Sequence, residues 1–144
     1  MGCGIYVFVL WALLENPEKE AIPLGLERAR AYYAQRPEWT GELEHYGRLF
    51  RADFSALPRG EIRSSGYVLD TLEAVIWCLL NTESYESCIL TAVNLGSDTD
   101  TVGAIAGGLA GVLYGSEGIP APWLKKLKKR EEIIQLCNQF TASL

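Results

Sequence analysis

Two carboxylates and a hydroxyl stand within four residues of one another at Asp98, Asp100 and Thr101. Oxygen donors of this kind suit hard divalent ions such as Mg²⁺, Mn²⁺ and Ca²⁺. Asp98 and Thr101 are three residues apart, so at a helix start they can face one way, and Asp100 can reach in from the side to share a second ion. A second reading is available. Aspartate is a favoured N-cap, and acids in a first turn suit the helix dipole. Nothing local supplies the remaining ligands of a six-coordinate ion, so spacing alone leaves both readings open.

The segment behind the turn must position these groups. From Val102 to Tyr114 every residue is uncharged and most are apolar or glycine. A helix without a polar face belongs in the middle of a bundle, and this one falls short of the roughly 20 residues of a membrane span. Gly103, Gly107 and Gly111 share one face. Glycine inside a helix costs about 1 kcal/mol against alanine, so the pattern predicts another backbone passing close by. Gly115 is placed to end the helix.

A second polar stretch is Ser64-Ser-Gly-Tyr67, which leads into Asp70 and Glu73. Their three-residue spacing reads as a capping box for a helix over 71–80. Alternatively the stretch borders a substrate pocket, with Tyr67 stacking on a flat ring or lining the cleft. His45, the only histidine, reads as a solvated surface residue. Lys125, Lys126, Lys128, Lys129 and Arg130 read as a solvated helix face, with an anion contact as the alternative.

Leu95-Gly-Ser-Asp-Thr-Asp-Thr101, followed by Ala104-Ile-Ala-Gly-Gly-Leu-Ala-Gly111, resembles the C-terminal signature of the ADP-ribosylglycohydrolase family. Ser64-Ser-Gly-Tyr-Val-Leu-Asp-Thr-Leu-Glu73 resembles a second stretch typical of bacterial members, and Tyr114-Gly-Ser-Glu-Gly-Ile-Pro120 with Trp123-Leu124 continues the likeness. Members are all-α hydrolases with a two-metal centre that cleave the glycosidic bond between ADP-ribose and a protein side chain or related acceptor. The resemblance implies Asp98, Asp100 and Thr101 as metal ligands for Mg²⁺ or Mn²⁺, with Asp98 and Asp100 as catalytic residues. It also places Ser65, Gly66, Tyr67, Gly96 and Ser97 beside the substrate. The family takes its other metal ligands from a Thr/Ser-Asp-Asp-Thr motif near the start of a longer chain, and no Asp-Asp pair occurs here. The implied fold is therefore a partial one, residues 1–144 forming a single all-α domain that resembles the C-terminal half of the enzyme.

The remaining sequence agrees with an all-α, compact orthogonal helix bundle. The chain has 144 residues, 49% of them hydrophobic, which excludes general disorder, and a net charge of −5 argues against non-specific nucleic-acid binding. Periodicity predicts helices over about 4–15, 18–35 (Asn16 as N-cap, Pro17 first in the helix), 41–51 (capped by Thr40), 71–80, 85–95 (capped by Ser84), 102–114 and 131–140, with a short one at Trp123. Leu24, Leu26, Ala29, Ala31, Tyr32 and Tyr33 are expected inward in the second, and Ile133, Ile134, Leu136, Cys137 and Phe140 inward in the last. No membrane span or cleavable leader is expected. Four cysteines without metal spacing, three of them expected as small buried hydrophobes, suit a reduced, cytoplasmic protein.

The expected partner is an ADP-ribosyl substrate. A homodimer or a complementing N-terminal half is expected too, because the first helix is apolar nearly all round. The expected function is metal-assisted cleavage of ADP-ribosyl bonds, incomplete in these residues alone. The alternative is a non-catalytic ADP-ribose-binding or oligomerising remnant of the family.

Overall fold

A computed structural model describes residues 1–143, and every regular element among them is helical. In chain order these are α1 (Gly2–Glu15), α2 (Ala21–Ala34), α3 (Thr40–His45), α4 (Val68–Leu80), α5 (Tyr85–Val93), α6 (Thr99–Tyr114), α7 (Ala121–Lys126) and α8 (Arg130–Ala142). Short 3₁₀ turns fill the connection between α3 and α4, at Gly47–Phe50, Phe54–Ala56 and Arg59–Glu61.

The apolar helix α6 lies in the middle, packed against α1, α4 and α5. Val102, Ala106, Leu109, Ala110 and Leu113 are buried along it. Every residue of α4 from Thr71 to Leu79 is buried, so these two helices form the floor on which the polar segments rest. Ser84 caps α5, as its sequence position predicts, and Ser87 completes a reciprocal capping box with it. Gly115 ends α6 at a φ of 72°, a left-handed conformation that favours glycine.

The glycine face of α6 is filled differently from expectation. Side chains of α5, not a backbone, lie against it: Val93 at Gly103, and Tyr85 with Ile89 at Gly107. The close backbone crossing is at Gly25 of α2, where an added Cβ would lie 2.6 Å from Val9 Cα and 2.9 Å from Phe8 O.

Other local expectations are corrected. Asn16 does not start α2. Extended at φ −145° and ψ 104°, it ends α1, and its N–H donates to Ala12 O; a residue before proline is pushed out of the helical region. In α2 Leu26 and Ala29 are buried, whereas Leu24, Ala31 and Tyr32 face solvent. Thr40 makes no capping bond, and the predicted 41–51 helix breaks at Tyr46 into α3 and a 3₁₀ turn.

Asp70 and Glu73 form no capping box either; Tyr67 is the N-cap of α4 without a side-chain bond. Glu73 is buried, and its Oε2 instead accepts from Arg48 Nε at 3.0 Å and Nη2 at 2.5 Å. Two cysteines, Cys78 and Cys88, are buried; Cys3 and Cys137 are exposed, and none is in a disulfide.

Two apolar surfaces are exposed among the described residues. On α1, Val7, Trp11 and Leu14 are 54%, 58% and 66% exposed, so this helix is buried on one side and not all round. On α8, Ile133, Ile134, Leu136, Cys137 and Phe140 are exposed where they were expected inward. No helix among the described residues is long and apolar enough to cross a membrane.

Candidate site at the acidic turn

Between the end of α5 and the start of α6 the chain reverses through Gly96 (φ 90°) and Ser97 (φ 56°). A left-handed serine is strained by about 1 kcal/mol or more, and such residues persist where the surroundings over-determine them. Here the surroundings are the segment before α4. Arg59 Nη2 donates to Asn94 O. Ser64 Oγ donates to Gly96 O at 2.8 Å, and Asp98 N–H donates to Ser64 O at 3.0 Å.

Asp98 occupies the N-cap position of α6, yet its carboxylate makes no capping bond. It lies over the backbone of Gly66. The capping role therefore does not account for this side chain. Asp100, fully exposed in the first turn, has its carboxyl held below the usual carboxylate range. The chief cause is the Asp98 side chain, followed by the N–H groups of Asp100 and Thr101 at the helix start.

Thr101 lines a mainly apolar cavity of about 600 Å³ between α1, α4 and α6, with Gly66, Tyr6, Leu72 and Ile105 among its walls. That volume lies within the range of small-molecule sites.

The structure therefore brings Gly66, Asp98, Asp100 and Thr101 to one place, directly after the strained pair Gly96 and Ser97. Ser65 is turned elsewhere: its Oγ donates to Asp70 Oδ2 at 2.5 Å and accepts from Tyr67 N–H at 3.2 Å. Tyr67 is 57% exposed at the rim. Ser64, which the sequence did not single out, is the serine of the pair that touches the turn. Two adjacent serines carry no pattern that says which one is buried.

Carboxylate and hydroxyl oxygens at the turn fit Mg²⁺ or Mn²⁺ in type. They fall short in number. Among the described residues no group of three or more Asp, Glu, His or Cys could hold an ion. The turn is suited to be one part of a metal site.

The sequence profile of the family described as ADP-ribosylglycohydrolase matches residues 1–144. The chain is 51% identical over 88 residues to ADP-ribosylarginine hydrolase Tri1 of Serratia proteamaculans (strain 568), a match covering 61% of this chain and 24% of the relative. It is 44% identical over 70 residues to ADP-ribosyl-[dinitrogen reductase] glycohydrolase of Rhodospirillum rubrum, covering 49% of this chain and 24% of the relative. The matched segments thus span about a quarter of the length of these curated relatives. A solved structure titled ADP-ribosylglycohydrolase-related protein complex superposes with a TM-score of 0.70 at 31% identity, over 89% of this chain and 41% of that one. The all-α fold is shared with it.

Proposed function

The chain belongs to the ADP-ribosylglycohydrolase family, and from that premise we propose that its acidic turn is one part of the metal and substrate site of an ADP-ribosyl hydrolase. The observation that carries this reading is the juxtaposition of the Asp98 carboxylate and the Gly66 backbone at the start of α6, where Thr101 opens onto the cavity. Asp98, Asp100 and Thr101 would hold Mg²⁺ or Mn²⁺. When bound, such an ion supplies Lewis-acid polarisation and charge stabilisation near the bond being broken.

The chain's own residues do the rest. Gly66 leaves room for the carboxylate, and in this reading the backbone of Gly96 and Ser97 would lie beside the substrate. Tyr67, on the rim, offers a flat ring with a polar tip to a nucleotide base. The unpaired thiols support a reducing, cytoplasmic setting.

The test is calorimetric titration of the chain with Mn²⁺, with and without ADP-ribose, beside the Asp98→Ala/Asp100→Ala variant. Binding that the variant loses supports the reading, and equal binding by both proteins overturns it. Hydrolysis by the 144-residue chain alone is expected to be negligible, because the ligand set at the turn is incomplete.

A second feature favours a partner. The exposed stripe Val7, Trp11 and Leu14 adjoins the cavity, one wall of which is Val7 itself. Large unpartnered apolar surface marks an interaction site. The proposed occupant is a helical polypeptide supplying the N-terminal share of the family fold, with its own oxygen ligands. Light scattering at micromolar concentration, with and without such a segment, tests this. A heterodimer is expected, a self-associated chain would assign the stripe to a second copy, and a strict monomer in both cases would sink the idea.

A further inference from the structure

The connection that precedes α4 reaches across to the acidic turn with one buried residue, Ser64, which is 5% exposed. Its two oxygens are both used there. Ser64 Oγ donates to the carbonyl of Gly96 at 2.8 Å, and Ser64 O accepts the N–H of Asp98 at 3.0 Å. These two partners belong to the peptide planes on either side of Ser97. Fixing both planes fixes the φ and ψ of the residue between them, because each peptide unit is rigid. Ser97 is the residue held at φ 56°, where a non-glycine side chain is disfavoured.

The clamp is itself anchored. Thr71, buried in α4, donates its hydroxyl to Ser65 O at 2.9 Å, so the main chain next to Ser64 is tied to the core helix. Arg59 holds the entry to the turn at Asn94 O. Beyond the turn, Asp98 starts α6, and its carboxylate lies over Gly66, two residues from Ser64. The direction in which the Asp98 and Asp100 carboxylates leave the backbone therefore depends on Ser64.

We propose that Ser64 is a positioning residue for cation binding: by pinning both peptide planes around Ser97 it sets the Asp98 and Asp100 oxygens at the start of α6. This inference rests on the reading of the turn as a cation site. Ser64 touches no reacting atom and acts through the turn.

The test uses ¹⁵N-labelled chain, Mn²⁺ as the probe, and the variants Ser64→Ala, Ser64→Thr and Ser64→Cys. Paramagnetic broadening of the amides of 98–101 reports binding. Ser64→Ala removes the Oγ bond to Gly96 O and keeps the residue-64 carbonyl that accepts from Asp98 N–H; the loosened turn is expected to weaken Mn²⁺ about tenfold, the scale of one hydrogen bond, and thereby to speed exchange of the Asp98 amide. Ser64→Thr, which keeps the hydroxyl, should restore both. Ser64→Cys replaces the hydroxyl with a slightly larger, weaker donor, and should fall between; it serves as the reading if the alanine variant does not fold.

Unchanged Mn²⁺ affinity and unchanged Asp98 exchange in folded Ser64→Ala or Ser64→Cys would overturn the inference and leave the cation site standing. Absence of Mn²⁺ broadening in the unaltered chain would remove the cation site and with it the cation-positioning role. The exchange measurement would then decide separately whether Ser64 orders the turn.

Discussion

Gly66 and Asp98 share one small volume: a Cβ added to Gly66 would lie 2.9 Å from Oδ2 of Asp98. The carboxylate of the turn is thus seated on the backbone of the loop that precedes α4, and the seat exists because residue 66 has no side chain. Gly66→Ala should displace the carboxylate, the mobile end of its side chain, without disturbing helix packing. Mn²⁺ affinity measured by calorimetry is expected to fall about tenfold, the scale of one charge-assisted hydrogen bond, while the thermal midpoint stays near that of the unaltered chain. An unchanged affinity would mean that the carboxylate position does not matter to the ion.

Arg48 guards the buried Glu73. Its guanidinium donates twice to Glu73 Oε2 and once to Glu61 O, tying α4 to the preceding connection. Arg48→Ala leaves a carboxylate that is only 5% exposed without its partner. The expected cost is about 2 kcal/mol in urea denaturation, since removing one partner leaves a desolvated charge. Glu73→Gln, which keeps an acceptor, should cost less.

The crossing of α1 and α2 depends on Gly25. An alanine there must push Val9 Cα and Phe8 O away, both of them backbone atoms that cannot rotate aside. Gly25→Ala should destabilise by about 1–3 kcal/mol, the range of overpacked cores. Gly111, inside α6, has open space beyond it. Gly111→Ala should therefore be neutral or stabilising by up to about 1 kcal/mol, because alanine is the better helix former. Chemical denaturation of the two variants side by side checks the contrast.

Burial pushes the Cys78 thiol up to about 12 and raises Cys88 as well. At pH 8 iodoacetamide should modify Cys3 and Cys137, which are exposed, and spare the other two until the chain unfolds. Mass spectrometry of the alkylated peptides reads this directly.

The same burial carries an alkaline signature. A thiol whose folded value lies above its unfolded value of 9.0 stabilises the fold fully below pH 9, and that contribution is lost as pH rises toward about 12. Cys78→Ala should flatten the decline in thermal midpoint between those limits. An identical decline in the variant would assign it to other groups.

Several features were legible from residue order because they are local. A run of uncharged, mostly apolar residues from Val102 to Tyr114 favours a central place for α6, and Val102, Ala106, Leu109, Ala110 and Leu113 are buried there although Ala104 and Gly108 remain exposed. Ser84 with Ser87, and Gly115 at the far end of α6, are decided within a few residues of chain. The acidic turn was visible in the same way, through two aspartates and a threonine at the head of an apolar helix.

What residue order could not decide was which groups face one another across the chain. Asp70 and Glu73 have capping spacing, but Ser65 and Arg48 claim them, the latter 25 positions away. Cys137 and Phe140 have core spacing, but both are exposed on α8. Periodicity records which face of a helix is apolar; a neighbour must then arrive from elsewhere in the chain or from another molecule. The sequence by itself determined most of the helices and the oxygen donors of the turn, though not the break at Tyr46. Only the tertiary structure decided that Ser64 and Gly66 hold that turn, because a hydrogen bond between residues more than thirty positions apart exists only once α4 and α6 have packed.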